Sequence, residues 1–176
     1  MAGLLARTRA LIGDPLVDGQ DPNVDELDLL AHLDAHRYEH SQMPLAAVPT
    51  YSPSGTAYLR FVADVGDWET DATFVDGTWT ALVPTVSDWQ AGGWTFAAPP
   101  TLPVRISGQS YDLAAAGADA LEGWAASAAR CYDMAVDGQT LSRSQVAASL
   151  RDAAAKLRLQ ALPETASLIR SDMGSI

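Results

Sequence analysis

The chain is short of thiols and of positive charge. Cys131 is its only cysteine, which excludes an internal disulfide and any zinc site built from several thiolates. Lys156 is its only lysine, and 11 basic residues stand against 22 acidic ones, a formal charge of −11. Eight acids fall between Asp14 and Glu39 against the single base Arg37, and six more between Asp64 and Asp88 against none. A protein that grips the phosphate backbone needs Lys and Arg to displace counterions, so this composition argues against a nucleic-acid clamp. No apolar run approaches membrane-spanning length, and the N-terminus carries no signal-like apolar core. The expected setting is a reducing, cytosol-like space.

What the chain does have is helical punctuation at both ends. Residues 2–12 read as a short helix stopped by Gly13-Asp14-Pro15. Asp21-Pro22-Asn23 opens a second helix expected to run to about His40, because Pro suits a first turn and Asp25 and Glu26 favour the positive helix N-terminus. Its expected buried stripe is Val24, Leu27, Leu30, Ala31, Ala35 and Tyr38. Asp34 falls on the same stripe, while Leu29 and Leu33 fall off it, as surplus apolar surface. Near the other end, residues 111–136 read as a long Ala-rich helix with Leu113, Gly117, Ala120, Trp124, Ala128, Cys131 and Ala135 on one face. Trp124 is the one large anchor of that face. Asp137-Gly138 reads as its stop. Ser142 with Gln145 has capping-box spacing, so a last helix follows, with the stripe Val146, Leu150, Ala153 and Leu157. Pro163 ends it.

Between these pairs, residues 44–103 turn rich in Thr, Trp, Val, Pro and Gly. Residues 56–63 alternate as a strand. Residues 72–75 and 78–83 flank Asp76-Gly77, a two-residue hairpin signal. Residues 94–97 and 104–107 read as further strands. The expected fold is α+β but mainly a helical bundle: two N-terminal helices, a C-terminal αα-hairpin and a small antiparallel β insertion. Residues 1–43 and 108–162 form the helical part, 44–107 the β-rich part, and 163–176 a C-terminal arm.

Candidate chemistry is sparse. His32, His36 and His40 stand at i, i+4 and i+8, a spacing able to hold a metal, yet the expected helix turns them to solvent without a His-Glu-x-x-His pattern. No metal, cofactor or catalytic residue is therefore expected. Trp68, Trp79, Trp89 and Trp94 read chiefly as the core of a small sheet, with a sugar- or peptide-binding surface as the other reading. Trp89, in Ser87-Asp88-Trp89-Gln90, is the expected exposed one. The tail carries Leu168, Ile169, Met173 and Ile176, with Arg170 beside them, and no home for them within the chain. It reads as a partner-binding arm that orders on docking.

The order of these segments resembles the head-to-tail connector (adaptor, or head-completion) proteins of tailed bacteriophages. Three stretches carry the likeness. The first runs from Leu11-Ile12-Gly13-Asp14-Pro15 to Leu33-Asp34-Ala35-His36-Arg37. The second holds Gly66-Asp67-Trp68-Glu69 and Gly93-Trp94-Thr95-Phe96. The third runs from Tyr111-Asp112-Leu113 through Trp124-Ala125-Ala126, Tyr132-Asp133 and Asp137-Gly138-Gln139 to Ser142-Arg143-Ser144-Gln145. The resemblance implies a non-enzymatic virion subunit at the neck, assembled in the host cytoplasm. It implies a ring, usually twelvefold, that docks under the portal protein and meets the next connector or tail protein. Such a ring extends the DNA channel, and an acidic wall lets DNA slide through without sequence-specific binding. No membrane is involved. The competing expectation is a cytosolic module whose Trp-rich β region binds a peptide or carbohydrate.

Overall fold

The first helix of the computed structural model, α1 (Ala2–Ile12), ends where Gly13 takes up the left-handed conformation at φ 71° and its N–H closes the last turn. The structure describes residues 1–14, 21–52, 55–130, 134–136, 139–141 and 143–162. Helix α2 (Glu26–Ala35) carries Glu26 and Asp28 in its first turn, where the helix dipole favours them. Helix α3 (Leu113–Ala129) is capped by Asp112, whose carboxylate accepts from the Ala115 N–H at 2.9 Å. Helix α4 (Arg143–Arg158) packs along α3.

Small residues decide how these helices meet. Ala116, Gly117, Ala118, Ala120, Leu121 and Ala125 of α3 are buried. A Cβ built on Gly117 would lie 3.2 Å from Ile12 of α1 and 3.3 Å from Leu157 of α4, so glycine sets the approach of both helices. Trp124 packs against this core from a partly exposed position. It supports the cluster from its rim, and Trp124→Ala is expected to cost roughly 1–2 kcal/mol in a denaturant melt, below the value for a fully buried indole.

The β region contains eight strands of its own: β1 (Arg37–Pro44), β2 (Ala46–Ser52), β3 (Gly55–Val62), β4 (Thr73–Val75), β5 (Ala81–Leu82), β6 (Val86–Asp88), β7 (Gly93–Thr95) and β8 (Arg105–Tyr111). They form two four-stranded antiparallel sheets, ordered β1-β8-β4-β5 and β2-β3-β7-β6. The chain changes sheet four times, at Leu45 between β1 and β2, and again between β3 and β4, β5 and β6, and β7 and β8. Leu45 is buried and donates its N–H to the Val104 carbonyl at 2.9 Å. Between the sheets lie Phe61, Trp68, Phe74, Trp94, Phe96, Val104 and Ile106. Their rings meet edge to face, as aromatic quadrupoles prefer: Phe74 and Trp94 at 5.2 Å, Phe61 and Phe96 at 5.7 Å. A short ribbon, β9 (Met134–Val136) with β10 (Gln139–Leu141), joins α3 to α4.

Several expectations are corrected here. The molecule is not mainly a helical bundle: 38% of it is helical and 29% is strand, in an α+β arrangement whose second layer is a complete two-sheet sandwich. The second helix stops at Ala35 rather than His40, because residues 37–44 pair with β8 instead. The expected boundaries at 43/44 and 107/108 therefore fall inside β1 and β8. On α2 the buried pair is Leu29 and Leu33, both fully enclosed, while Leu27 is 73% exposed. Those two leucines are core, not surplus surface. Asp34 is exposed and pairs with Arg37 at 2.9 Å, so it is no buried carboxylate. The third helix ends at Ala129 rather than continuing to residue 136. On α4, Val146 is 46% exposed, while Ala147, Ala154 and Leu157 are buried. Cys131, the Asp137-Gly138 stop and Ser142 lie outside the described residues.

Candidate functional site

Three grooves among the described residues carry polar side chains. The first, about 370 Å³, opens between the end of α2, the start of α3 and the end of α4. Its polar wall is a chain of charges. His36 Nε2 meets one oxygen of Asp119 at 2.8 Å, and Arg158 donates to the other at 3.0 Å and to Glu122 at 2.7 Å. Burial works to raise the Asp119 carboxyl, but the His36 and Arg158 contacts outweigh it and hold it below its ordinary value. Asp112, at the mouth, spends one oxygen on its own helix and the other on the Leu162 N–H at 2.6 Å. These groups staple α2, α3 and α4 together, and each spends its capacity on another.

The second groove, about 410 Å³, is lined by Glu39, His40, Asp71 and Gln109. His40 lies against Trp68, ring centroids 4.7 Å apart, and its Nε2 is 2.8 Å from Ser110 Oγ. Burial lowers the His40 pKa. Ser110 is only 1% exposed, so this pair presents no nucleophile to a substrate, and His40 serves to fill the space over Trp68. Nearby, the Tyr111 hydroxyl donates to Glu69 at 3.1 Å, and burial with that bond pushes its pKa up to about 12.

The third groove, about 380 Å³, runs between α1 and the β layer past Leu11, Gln90 and Leu113. It is spanned by an ion pair between Arg7 and Asp67. Asp67 sits at φ 55°, a conformation that is sparsely populated by residues with a Cβ. Burial pushes its carboxyl up against the opposing pull of Arg7. Its backbone is held on both sides, by a bond to the Gln90 carbonyl at 3.0 Å and one from the Tyr111 N–H at 3.2 Å. The pair thus ties the helical layer to the sandwich.

The residues singled out in the sequence fare unevenly. His32, His36 and His40 do not form one ladder. His36 caps α2 and binds Asp119, whereas His40 stands on β1 and meets Ser110. No group of three or more His, Cys, Asp or Glu able to hold a metal occurs among the described residues. Trp89 is not the exposed tryptophan. It is half-buried, 5.7 Å from Trp94 and 6.2 Å from Phe74. The exposed indole is Trp79, 63% accessible at φ 65°, stacked 5.0 Å from the Arg105 guanidinium. Asp76 fixes it there, accepting from the Thr78 N–H, the Thr78 hydroxyl and the Thr80 N–H at 2.7–2.9 Å. Those bonds, led by the Thr78 hydroxyl, hold the Asp76 carboxyl below its ordinary pKa. Asp76-Gly77 does lie at a turn, but not the expected two-residue hairpin: Val75 pairs with Ala81, so residues 76–80 form the loop, and the signal did not point to the Trp that the loop presents. Leu168, Ile169, Arg170, Met173 and Ile176 lie outside the described residues.

No family model matches the chain, and no curated protein or solved structure is significantly similar to it. No helix among the described residues is long and apolar enough to cross a membrane.

Proposed function

We propose that the chain is a structural subunit of a head-to-tail connector ring, docking under a portal and extending the DNA channel toward the tail. One observation carries this reading. The charged groups of the helical groove are engaged with one another, while large apolar side chains stand in solvent on both layers. Leu27 is 73% and Leu159 88% exposed on the helical side, and Tyr51 is 78% and Val83 84% exposed on the sandwich. A subunit built into a ring needs two different sticky faces, and exposed apolar positions on separate elements provide them. The net charge of −11 suits a wall past which DNA slides. The order of the segments resembles the connector family, as set out above. A module binding sugar or peptide through the Trp-rich region has less support. Trp68 and Trp94 are buried, Trp89 is half-buried, and Trp79 alone offers an open ring face.

The test is electron microscopy of the full chain mixed with a portal protein of the kind this reading requires. Rings of this chain seated on the portal are expected. A protein that stays free of the portal, or that turns over a substrate, would end the proposal. The tail is tested in the same preparation. Deleting residues 164–176 is expected to leave the thermal midpoint unchanged and to abolish docking. Docking at full strength without those residues would show that Leu168, Ile169, Arg170, Met173 and Ile176 are not the contact.

A further inference from the structure

We infer that Arg7 and Asp67 form a releasable latch between the helical layer and the sandwich, which rock against each other on the two chain crossings at His36 and Asp112. Such a joint is independent of the ring reading.

The two layers have separate cores. The cluster around Leu29, Ala120 and Leu121 draws on the helices and their flanks alone, and that around Phe61, Trp68 and Trp94 on the β region alone. No helix packs along a strand of the sandwich among the described residues. The chain passes between the layers where α2 runs into β1 at His36 and where β8 runs into α3 at Asp112. These crossings lie side by side, because the Asp112 N–H donates to the His36 carbonyl at 3.0 Å. Both residues are helix caps, the kind of element-terminal position that absorbs a change of backbone angle. Tyr111, joined to Asp112, is buried with Leu4, Leu33 and Leu113. The apolar contact shared by the layers thus sits at the pivot, where rocking moves it least.

Space and one ion pair flank that pivot. At this end of the sandwich β8 has β1 on one side, with Tyr38 opposite Ser110, and the loop of Asp67 and Trp68 on the other, with Trp68 opposite Ser110. The groove of about 370 Å³ opens on the side of Tyr38, and that of about 380 Å³ on the side of Asp67. Layers packed to interior density leave no such room, and rocking that narrows one groove widens the other. Arg7 on α1 spans the second groove to reach Asp67. The sandwich half of this tie is rigid. Asp67 donates its N–H to the Gln90 carbonyl at 3.0 Å and accepts from the Tyr111 N–H at 3.2 Å. Those bonds hold it at φ 55°, a sparsely populated conformation of the kind found in switch regions. The helical half is a long side chain. The two side chains are 28% and 27% exposed, so water competes for both. Burial also works against the Asp67 charge, and a pair whose desolvation offsets its attraction adds little net hold. A tie so placed fixes the angle of the layers and releases it at small cost.

The experiment uses the full-length chain with Cys131→Ser as background. Spin labels go on Ala6→Cys of α1 and Ser87→Cys of β6, both at exposed positions, and pulsed electron resonance reads the distance between them. One dominant distance is expected for this parent. Arg7→Glu sets two carboxylates against each other. It is expected to raise the population of a second, longer distance about fivefold or more, with the circular dichroism unchanged. Arg7→Lys keeps the charge and is expected to keep the parent distribution. The same distribution in Arg7→Glu as in the parent would overturn the latch. So would a lower thermal midpoint with the distance unmoved, which is the mark of a fixed staple. If Arg7→Glu fails to fold, the parent decides. Salt screens a part-exposed pair, so the longer distance is expected to gain population between about 0.1 and 1 M salt. A parent distribution that salt leaves unchanged would then overturn the latch.

Discussion

Asp14→Ala is expected to cost about 3–5 kcal/mol, because it leaves a buried guanidinium without its counter-charge. Arg9 is only 3% and Asp14 4% exposed. Arg9 Nη1 donates to Asp14 at 3.2 Å and to the Val24 carbonyl at 3.0 Å. Asp14 also accepts from the Asn23 N–H, the Asn23 amide and the Val24 N–H, at 2.8–3.0 Å. One carboxylate thus locks the end of α1 to the residues that lead into α2. Arg9 Nη2 already lacks a partner among the described residues, so of the two bonds made by Nη1 the substitution leaves the one to the neutral Val24 carbonyl. Urea unfolding of the variant measures the loss, and a change under about 1 kcal/mol would show that the pair is solvated.

The same site predicts an acid limb. Burial pulls the Asp14 carboxyl up, but the bonds from Asn23 and Val24 and the charge of Arg9 prevail and hold it below its ordinary value. A carboxyl depressed in the folded state adds stability above its unfolded pKa, about 3.9, and loses it as pH falls through the lower folded value. Asp119 acts in the same direction. Stability is expected to fall below about pH 4, and Asp14→Ala, already lacking the contribution, is expected to fall less steeply. Equal slopes in the two proteins would show that Asp14 does not set the limb.

Trp94→Ala is the second large effect, about 3–5 kcal/mol. Trp94 is 1% exposed and lies at the centre of the sandwich, 5.2 Å from Phe74, 5.7 Å from Trp89 and 5.8 Å from Trp68. Removing the indole opens a cavity among these rings that the surrounding structure closes only in part. Trp94→Phe is expected to recover most of the loss. The indole Nε1 makes no hydrogen bond among the described residues, so phenylalanine gives up volume and no bond. Trp68→Phe is the contrasting case, because Trp68 Nε1 donates to the Val65 carbonyl at 2.8 Å. Losing it removes a part-buried hydrogen bond, at about 1 kcal/mol beyond the lost volume. If both Phe variants melt alike, hydrogen bonding does not distinguish the two sites.

Local chemistry by itself determined the punctuation of this chain. The stop at Gly13, the acid-rich start of α2, the turn at Asp76-Gly77 and the order of two helices, a β region and two helices follow from residues within a few positions of each feature. The first and last helices are legible because each is a local hydrogen-bonded unit. Only the tertiary structure decided the rest. Residues 37–40 continue the helical pattern of α2 on paper. They start β1 because β8, some seventy positions away, offers them a ladder of bonds, such as Arg37 opposite Tyr111. Which stripe of α2 is buried depends on where α3 lies, and α3 selects Leu29 and Leu33 over Leu27. Which tryptophan is exposed depends on how Asp76 folds its turn and on the aromatic neighbours that close over Trp89. Periodicity states that an apolar face exists. The partner that covers it, and the long-range pairing that overrides a helical pattern, come from parts of the chain that no local window contains.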